Sequence, residues 1–313
     1  MTSPATERRV ERAAPTTRPA RAGRGREGLV GWSFALPFVV FFVVFLAGPI
    51  IAALVTSFTD LRVTDIRNPL SVDLVGLDNY AAVLRDPIFQ KAAGNTAIFV
   101  LVGIPLTIAL GLLAAVGLNQ GIVKFRTLFR VGYYMPVVTS IAAVAVVWRM
   151  LLGAEIGLIN GVLSIFGVSG PGWLTNPSLA LGSLIIMAAW RNMGFLMIIF
   201  LAGLQTVPQA LYEAAEVDGA GRWQRFRSIT FPLLRPTMLF AAVITGIGYL
   251  QFFEEPFVMT QGGPLNATLS VAYHAYNQFS FGNYGYTAAA SYLLFVAIAL
   301  LTVFWFRLFR PAT

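Results

Sequence analysis

The side chains with chemical potential are few and fall into clusters. Arg191 stands between Trp190 and Asn192 inside a long apolar run. Gln251, Glu254 and Glu255 lie together near the end of another such run. The stretch 205–236 reads QTVPQALYEAAEVDGAGRWQRFRSITFPLLRP and carries Glu213, Glu216, Asp218, Arg222, Arg225, Arg227 and Arg235 between two apolar segments. The chain has no Cys and one His, His274, which excludes disulfides, thiolate centres and a His-rich metal cluster. It has no Gly-x-x-x-x-Gly-Lys-Ser/Thr run, so nothing in it cradles a nucleotide in the manner of that motif. What these groups offer is binding. An Arg at the centre of a membrane helix costs about 2.5–3.5 kcal/mol to insert. Arg191 therefore either faces a cavity or polar partner, or lies nearer a helix end and snorkels. Both readings stand at this point. Beside it Trp190 offers a ring face and Asn192 offers hydrogen bonds. Asn95 and Thr96 form a weaker polar pair.

The elements that must hold these groups are membrane helices. Of 313 residues, 57% are hydrophobic and 12% are charged, against about 25% charged in soluble domains. With several apolar runs of about 20 residues, the composition predicts an all-α polytopic membrane protein. Six spans are predicted, near 34–58, 96–118, 134–152, 179–204, 237–258 and 287–309. Residues 1–28 are rich in Arg, Ala, Pro and Thr and are predicted to be a disordered tail; 29–313 is then one transmembrane domain. The apolar run that follows the tail is too long for a signal-peptide core. The net charge of +8 comes mainly from Arg8, Arg9, Arg12, Arg18, Arg21, Arg24 and Arg26. Placed ahead of the first span, they predict contact with lipid headgroups rather than nucleic acid.

Orientation follows from Lys and Arg placement. Lys124, Arg126 and Arg130 fall between the second and third spans, Arg222, Arg225, Arg227 and Arg235 between the fourth and fifth, and Arg307 and Arg310 at the C-terminus. The third-to-fourth loop has Glu155 after the span-end Arg149, and the fifth-to-sixth loop lacks Lys and Arg. The first-to-second loop is mixed. Counting by the positive-inside rule puts both termini and 205–236 in the cytoplasm. A short surface helix is expected after Leu77, where Asp78-Asn79-Tyr80 and Asp86-Pro87 are start signals. Tyr273, Tyr276, Phe279, Phe281, Tyr284 and Tyr286 fit an interfacial aromatic belt or a contact surface for an external partner.

Within 205–236, Pro208 suits a helix start, 209–217 is built of good helix formers, and Gly219 and Gly221 break it. A second helix restarts at Arg222, with Trp223, Phe226 and Ile229 on one face, and is expected to end at Pro232 and Pro236. The result is a helix–turn–helix with small residues, Ala214, Ala215 and Gly219, at its tip. Physics alone leaves two uses open: packing against the chain's own bundle and lipid, or insertion into a cleft of another protein.

The spacing resembles a known family. Glu213-Ala214-Ala215, three residues, Gly219, nine residues, then Ile229-Thr230-Phe231-Pro232 is similar to the coupling-loop signature of binding-protein-dependent ABC importer permeases, with Phe231 where the pattern has Leu. Gly76-Leu77-Asp78-Asn79-Tyr80, 201–208 and Thr260-Gln261-Gly262-Gly263-Pro264 resemble the carbohydrate branch, in particular the larger maltose-type and glycerol-phosphate-type subunit. The resemblance implies the six-helix type I importer domain in a bacterial cytoplasmic membrane. It implies that Glu213, Ala214, Ala215, Asp218, Gly219, Ile229 and Pro232 couple to an ATPase. It implies as partners a second homologous permease, an ATPase dimer that carries ATP and Mg, and an extracytoplasmic solute-binding protein. This chain would then be no enzyme and bind no cofactor itself. Trp190, Arg191, Asn192, Gln251, Glu254 and Glu255 are the expected pathway for a sugar or related polar solute. An ion-coupled secondary transporter and a polytopic membrane enzyme are the alternatives. The first lacks an evident mid-span acid, and the second lacks clustered catalytic side chains.

Overall fold

The computed structural model describes residues 24–68, 72–119 and 125–309. The tail arginines from Arg8 to Arg21, Lys124 and Arg310 lie outside the described residues. Among those described there is helix and no strand beyond one isolated bridge between Thr59 and Leu74. The chain divides into two compact units after Ala52.

The first unit is helical from α1 (Arg24–Phe42) through a π-turn at Val43–Ala47 into α2 (Gly48–Thr56). The helix therefore starts inside the predicted tail and ten residues ahead of the predicted span. Pro37 sits inside α1. The apolar stretch Trp32–Thr56 is long enough to span a bilayer.

The second unit begins within the last turns of α2 and continues through a loop to α3 (Asp78–Arg85), the surface helix expected after Leu77. Asp86 then caps α4 (Pro87–Asn119): its Oδ1 accepts from the Ile88 N–H at 2.8 Å, with Pro87 at the first helical position, where no donor is needed. There follow α5 (Arg126–Val138), α6 (Ile141–Leu151), α7 (Leu158–Ile165) and α8 (Pro177–Gln205). Next come α9 (Gln209–Val217), α10 (Arg222–Arg225), a π-turn Phe226–Thr230 and α11 (Phe231–Leu233). The chain ends with α12 (Arg235–Leu250), α13 (Glu254–Met259), α14 (Val271–Ser280) and α15 (Tyr284–Leu308).

Four helices are long and apolar enough to cross a membrane, and six spans result if each of two bent pairs counts as one. The predicted third span, 134–152, is not a continuous helix. α5 and α6 meet at 99°. Pro136 removes a backbone donor in the last full turn of α5, and Thr139 and Ser140 adopt extended ψ values of 143° and 128°. The predicted fifth span also breaks. α12 stops at Leu250 and the chain restarts as α13 at Glu254. At its other end the loop's second helix, Arg222–Leu233, ends between Pro232 and Pro236 as expected. Pro232 sits in the first turn of α11, and the chain bends by 66° into α12.

α4 and α8 form the centre and run parallel: Gly103 lies by Ile185, and Gly111 by Leu196. α12 runs antiparallel to both, since Gly203 lies against Thr237 and the Thr107 hydroxyl meets the Tyr249 hydroxyl at 2.7 Å. α15 covers α12, with Leu301 and Trp305 over Gly246. In α8, 56% of the most apolar stretch is buried against 11% in α15, so α8 is the core helix and α15 lies at the periphery of the bundle. Three apolar layers stack along the bundle. Phe89, Tyr273 and Ala289 mark one end, Phe99, Leu184 and Leu250 the middle, and Leu118, Leu204 and Leu234 the end from which α9 to α11 project.

Candidate functional sites: a mid-bundle cavity and a projecting helical loop

The two chain breaks meet at one cavity of about 340 Å³, within the range of small-ligand sites. α8 contributes Arg191, Asn192 and Phe195. α12 contributes Thr245, Gly248 and Tyr249. The break after it contributes Gln251 and Phe252, α13 contributes Glu254 and Glu255, and the first residue of α6, Ile141, closes one side. Interrupted backbone inside a membrane bundle is tolerated where it lines a cavity, which is the situation here. Two clusters that are 60 residues apart in sequence thus become one site.

Arg191 does not snorkel. Its Nη2 donates to the Val137 carbonyl and its Nη1 to Asn192 Oδ1, both at 3.4 Å. Val137 belongs to the last turn of α5, where carbonyls have lost their helical partners and a cation is favoured. Nε of Arg191 is buried without a partner. Asn192 is held by Nδ2 donating to the Ala188 carbonyl at 2.8 Å. Glu255 is 5% exposed, and its Oε2 accepts no hydrogen bond. Tyr249 is positioned by Thr107 and by Phe99, whose ring also stacks on Phe252 at 3.9 Å.

Trp190 is not brought into this cavity. It packs on Trp148, with ring centroids 5.5 Å apart. Asn95 and Thr96 are structural as well. Asn95 Nδ2 donates to the carbonyls of Asn266 and Leu269, and Thr96 Oγ1 accepts from the Val271 N–H. They pin the loop ahead of α14 to α4. Thr245, Tyr249 and Phe252 were missed by sequence reasoning. The signal available was a tyrosine and a threonine inside an apolar run.

Close approach of α5 and α8 shapes the cavity wall. At Gly194 an added Cβ would lie 1.8 Å from the Tyr133 carbonyl oxygen, so any side chain there pushes the helices apart.

The loop 205–236 is a helix–turn–helix, as expected. α9 ends on Gly219 at φ +74°. The Ala220 N–H bonds the Ala215 carbonyl at 2.8 Å and the Gly219 N–H bonds that of Glu216 at 3.1 Å, the Schellman arrangement that satisfies the last carbonyls. Arg225 and Glu216 pair at 3.2 Å across the turn. Tyr212 and Thr230 bond behind it at 2.8 Å. Trp223 stacks on Phe226, yet Trp223 remains 73% exposed and Val217 88% exposed. Glu213, Ala214, Asp218 and Gly219 are exposed, while Ala215, Ile229 and Pro232 are half-buried. The tip presents small and apolar residues outward, and Ile229 and Pro232 join it to the bundle.

At the opposite end the predicted aromatic belt is divided. Phe279 and Phe281 are exposed, but Tyr273 is buried against Phe253 and Phe257. Tyr286 donates to Asp86 Oδ2 at 2.7 Å while His274 Nε2 sits 3.0 Å from its hydroxyl. Because the one hydroxyl proton goes to Asp86, His274 Nε2 must be the donor to Tyr286.

A multi-pass helical bundle with a polar cavity at its broken helices and a projecting loop defines a membrane transport subunit. Residues 107–313 match the family described as binding-protein-dependent transport system inner membrane component. The chain belongs to that family, and is a permease component rather than an enzyme. It is 34% identical over 282 residues to the lactose transport system permease protein LacF of Rhizobium radiobacter, spanning 88% of this chain and 92% of the relative. It is 35% identical over 285 residues to the trehalose/maltose transport system permease protein MalF of Thermococcus litoralis, spanning 91% and 95%. Among solved structures it resembles a chain of a bacterial alginate ABC transporter, crystallised with an alginate pentasaccharide-bound periplasmic protein. The TM-score is 0.77 at 25% identity, covering 93% of this chain and 98% of that one.

Proposed function

We propose that this chain is one of two unlike permeases in an ATP-driven importer of a sugar or related polar solute. The loop 205–236 faces the cytoplasm, as do both termini. Its tip, around Glu213, Ala214, Ala215, Asp218 and Gly219, seats in an ATPase subunit that binds ATP and Mg. An extracytoplasmic binding protein delivers the solute at the opposite end. The cavity around Arg191 and Glu255 is the pathway through this subunit. Closure of the ATPase dimer moves the loop, and the loop moves α12, into which it continues.

The observation that carries this is the loop's construction. A hydrogen bond and an ion pair tie its two helices to each other, while Val217 and Trp223 are left uncovered. Exposed apolar groups on such a projection fit a protein partner better than solvent. The carbohydrate class is supported by relatives named for lactose, arabinooligosaccharides and trehalose/maltose. The test is uptake in membrane vesicles. Vanadate-sensitive uptake that disappears with the ATPase subunit is expected; uptake driven by an ion gradient without any ATPase would overturn the proposal.

A further inference from the structure

A groove of about 530 Å³ lies between α4, α5 and α8, in the apolar layer nearest the projecting loop. Leu110, Gly117 and Leu118 of α4 line it, with Phe129 and Tyr133 of α5 and Met193 of α8. Gly117 brings no side chain to it, and a Cβ added there meets nothing within 4 Å. Toward the middle of the bundle the groove is closed, because the Tyr133 backbone seats directly on Gly194. From Leu110 to Leu118 it follows α4 for about 12 Å, at 1.5 Å per residue. A slot of this length, with no charged side chain in its lining, suits a hydrocarbon chain.

The other end is cationic. Arg126 lies one turn before Phe129 on α5 and Arg130 one turn before Tyr133, so both arginines share the face that lines the groove. Helical side chains lean toward the N-terminus, which carries these two past the apolar lining. Arg130 has no ion-pair partner among the described residues, and no Asp or Glu occurs between Leu110 and Val138. α5 begins at Arg126 without a side-chain cap from Phe125, so the positive end of a 13-residue helix adds to the two guanidiniums. Phe125 and Leu128 stand exposed beside them, as suits the boundary between headgroups and acyl chains.

We infer that this groove is the binding site of one anionic phospholipid. An acyl chain lies along α4 and α5, and the phosphate is held by Arg126, Arg130 and the start of α5. Guanidinium forks match phosphate oxygens two at a time. A zwitterionic headgroup such as phosphocholine brings a second, positive charge to a place with no acid to receive it. With α9 to α11 in the cytoplasm, as proposed above, the lipid comes from the inner leaflet, where anionic lipids gather basic segments. Only the choice of leaflet rests on that reading.

The test is native mass spectrometry of the purified transporter, this chain co-expressed with its partner subunits and delipidated in detergent. The probes are dioleoylphosphatidylglycerol and dioleoylphosphatidylcholine, which share their chains and differ in charge. The first is expected to be retained about tenfold more tightly, a modest return for two arginines at a lipid surface. Joint Arg126→Gln and Arg130→Gln should erase that preference, and the corresponding Lys pair should keep most of it. Gly117→Leu fills the groove and should weaken both lipids. Glycerol 1-phosphate, the phosphate without the chains, should not displace phosphatidylglycerol. The intact mass of the complex reads assembly in the same spectra. Equal retention of the two lipids, a preference that survives the Gln pair, binding untouched by Gly117→Leu, or displacement by glycerol 1-phosphate each overturns the inference. Micelles have no leaflets, so an inverted topology would leave these results unchanged and would show instead in cysteine labelling of the two ends.

Discussion

The Tyr212 hydroxyl lies 2.8 Å from that of Thr230, joining α9 to the π-turn that leads into α12. Thr230 is buried and Tyr212 half-buried. This bond, with the Arg225–Glu216 pair, ties the loop's two helices to each other. Tyr212→Phe removes it and should cost about 1 kcal/mol. ATP hydrolysis by the assembled transporter should persist while solute uptake per ATP falls. An unchanged uptake-to-hydrolysis ratio would show that the bond carries no motion.

Gly219→Asp and Glu213→Arg test the loop's outward face. An added Cβ at Gly219 meets nothing within 4 Å, and Asp is among the few residues that tolerate the left-handed region. Glu213 is exposed. Neither change should disturb insertion or folding. Both should lower co-purification of the ATPase subunit or coupled uptake by about tenfold, the equivalent of about 1.4 kcal/mol. Normal uptake in both would remove the docking role.

Acid should weaken the Asp86–His274–Tyr286 cluster, which ties the starts of α4 and α15 to α14. Burial pushes the His274 imidazole below its usual 6.5, partly opposed by Asp86. Burial pushes Asp86 up, but the Tyr286 hydroxyl, the Ile88 N–H and His274 together hold it below its usual 3.8. Both folded values are depressed. The contribution of His274 is therefore complete above the unfolded value and is lost as pH falls through the folded one. Below pH of about 6.5, stability should fall with a slope of at most about 1.4 kcal/mol per pH unit from this group. Thermal unfolding of the detergent-purified chain at pH 7.5 and about 5 reads it. His274→Gln should flatten the difference, and an equal acid shift in the variant would assign the effect elsewhere.

Gly194→Ala should separate α5 from α8. The Cβ would overlap the Tyr133 carbonyl, which is backbone and cannot rotate away. Overpacking of this kind costs about 1–3 kcal/mol. A lower melting temperature and slower solute uptake are expected together, because the same shift moves Val137 away from Arg191. Wild-type behaviour on both measures would refute the tight contact.

The Cys-free chain offers a clean check on orientation. Val217→Cys and Phe281→Cys are both at exposed positions, at opposite ends of the bundle. A membrane-impermeant maleimide applied to intact cells should label the second and spare the first. The reverse pattern would invert the topology.

Much of this protein was legible in one dimension. The shortage of charge and the length of the apolar runs determined a helical membrane bundle, because each span must satisfy its own backbone in lipid. The punctuation of 209–217 by Pro208 and Gly219 determined the loop's shape, since those residues act locally through φ and missing donors. The signature from Glu213 to Pro232 identified the family. Tertiary structure alone decided that 134–152 folds back at 99° and that 237–258 breaks after Leu250. Hydropathy averages over a window and does not register where packing bends a chain. It alone decided that Trp190 turns to Trp148 while Arg191, one residue on, joins Glu255 at the cavity. Which face of a buried helix a residue occupies depends on neighbours distant in sequence, and those are fixed only when the bundle closes.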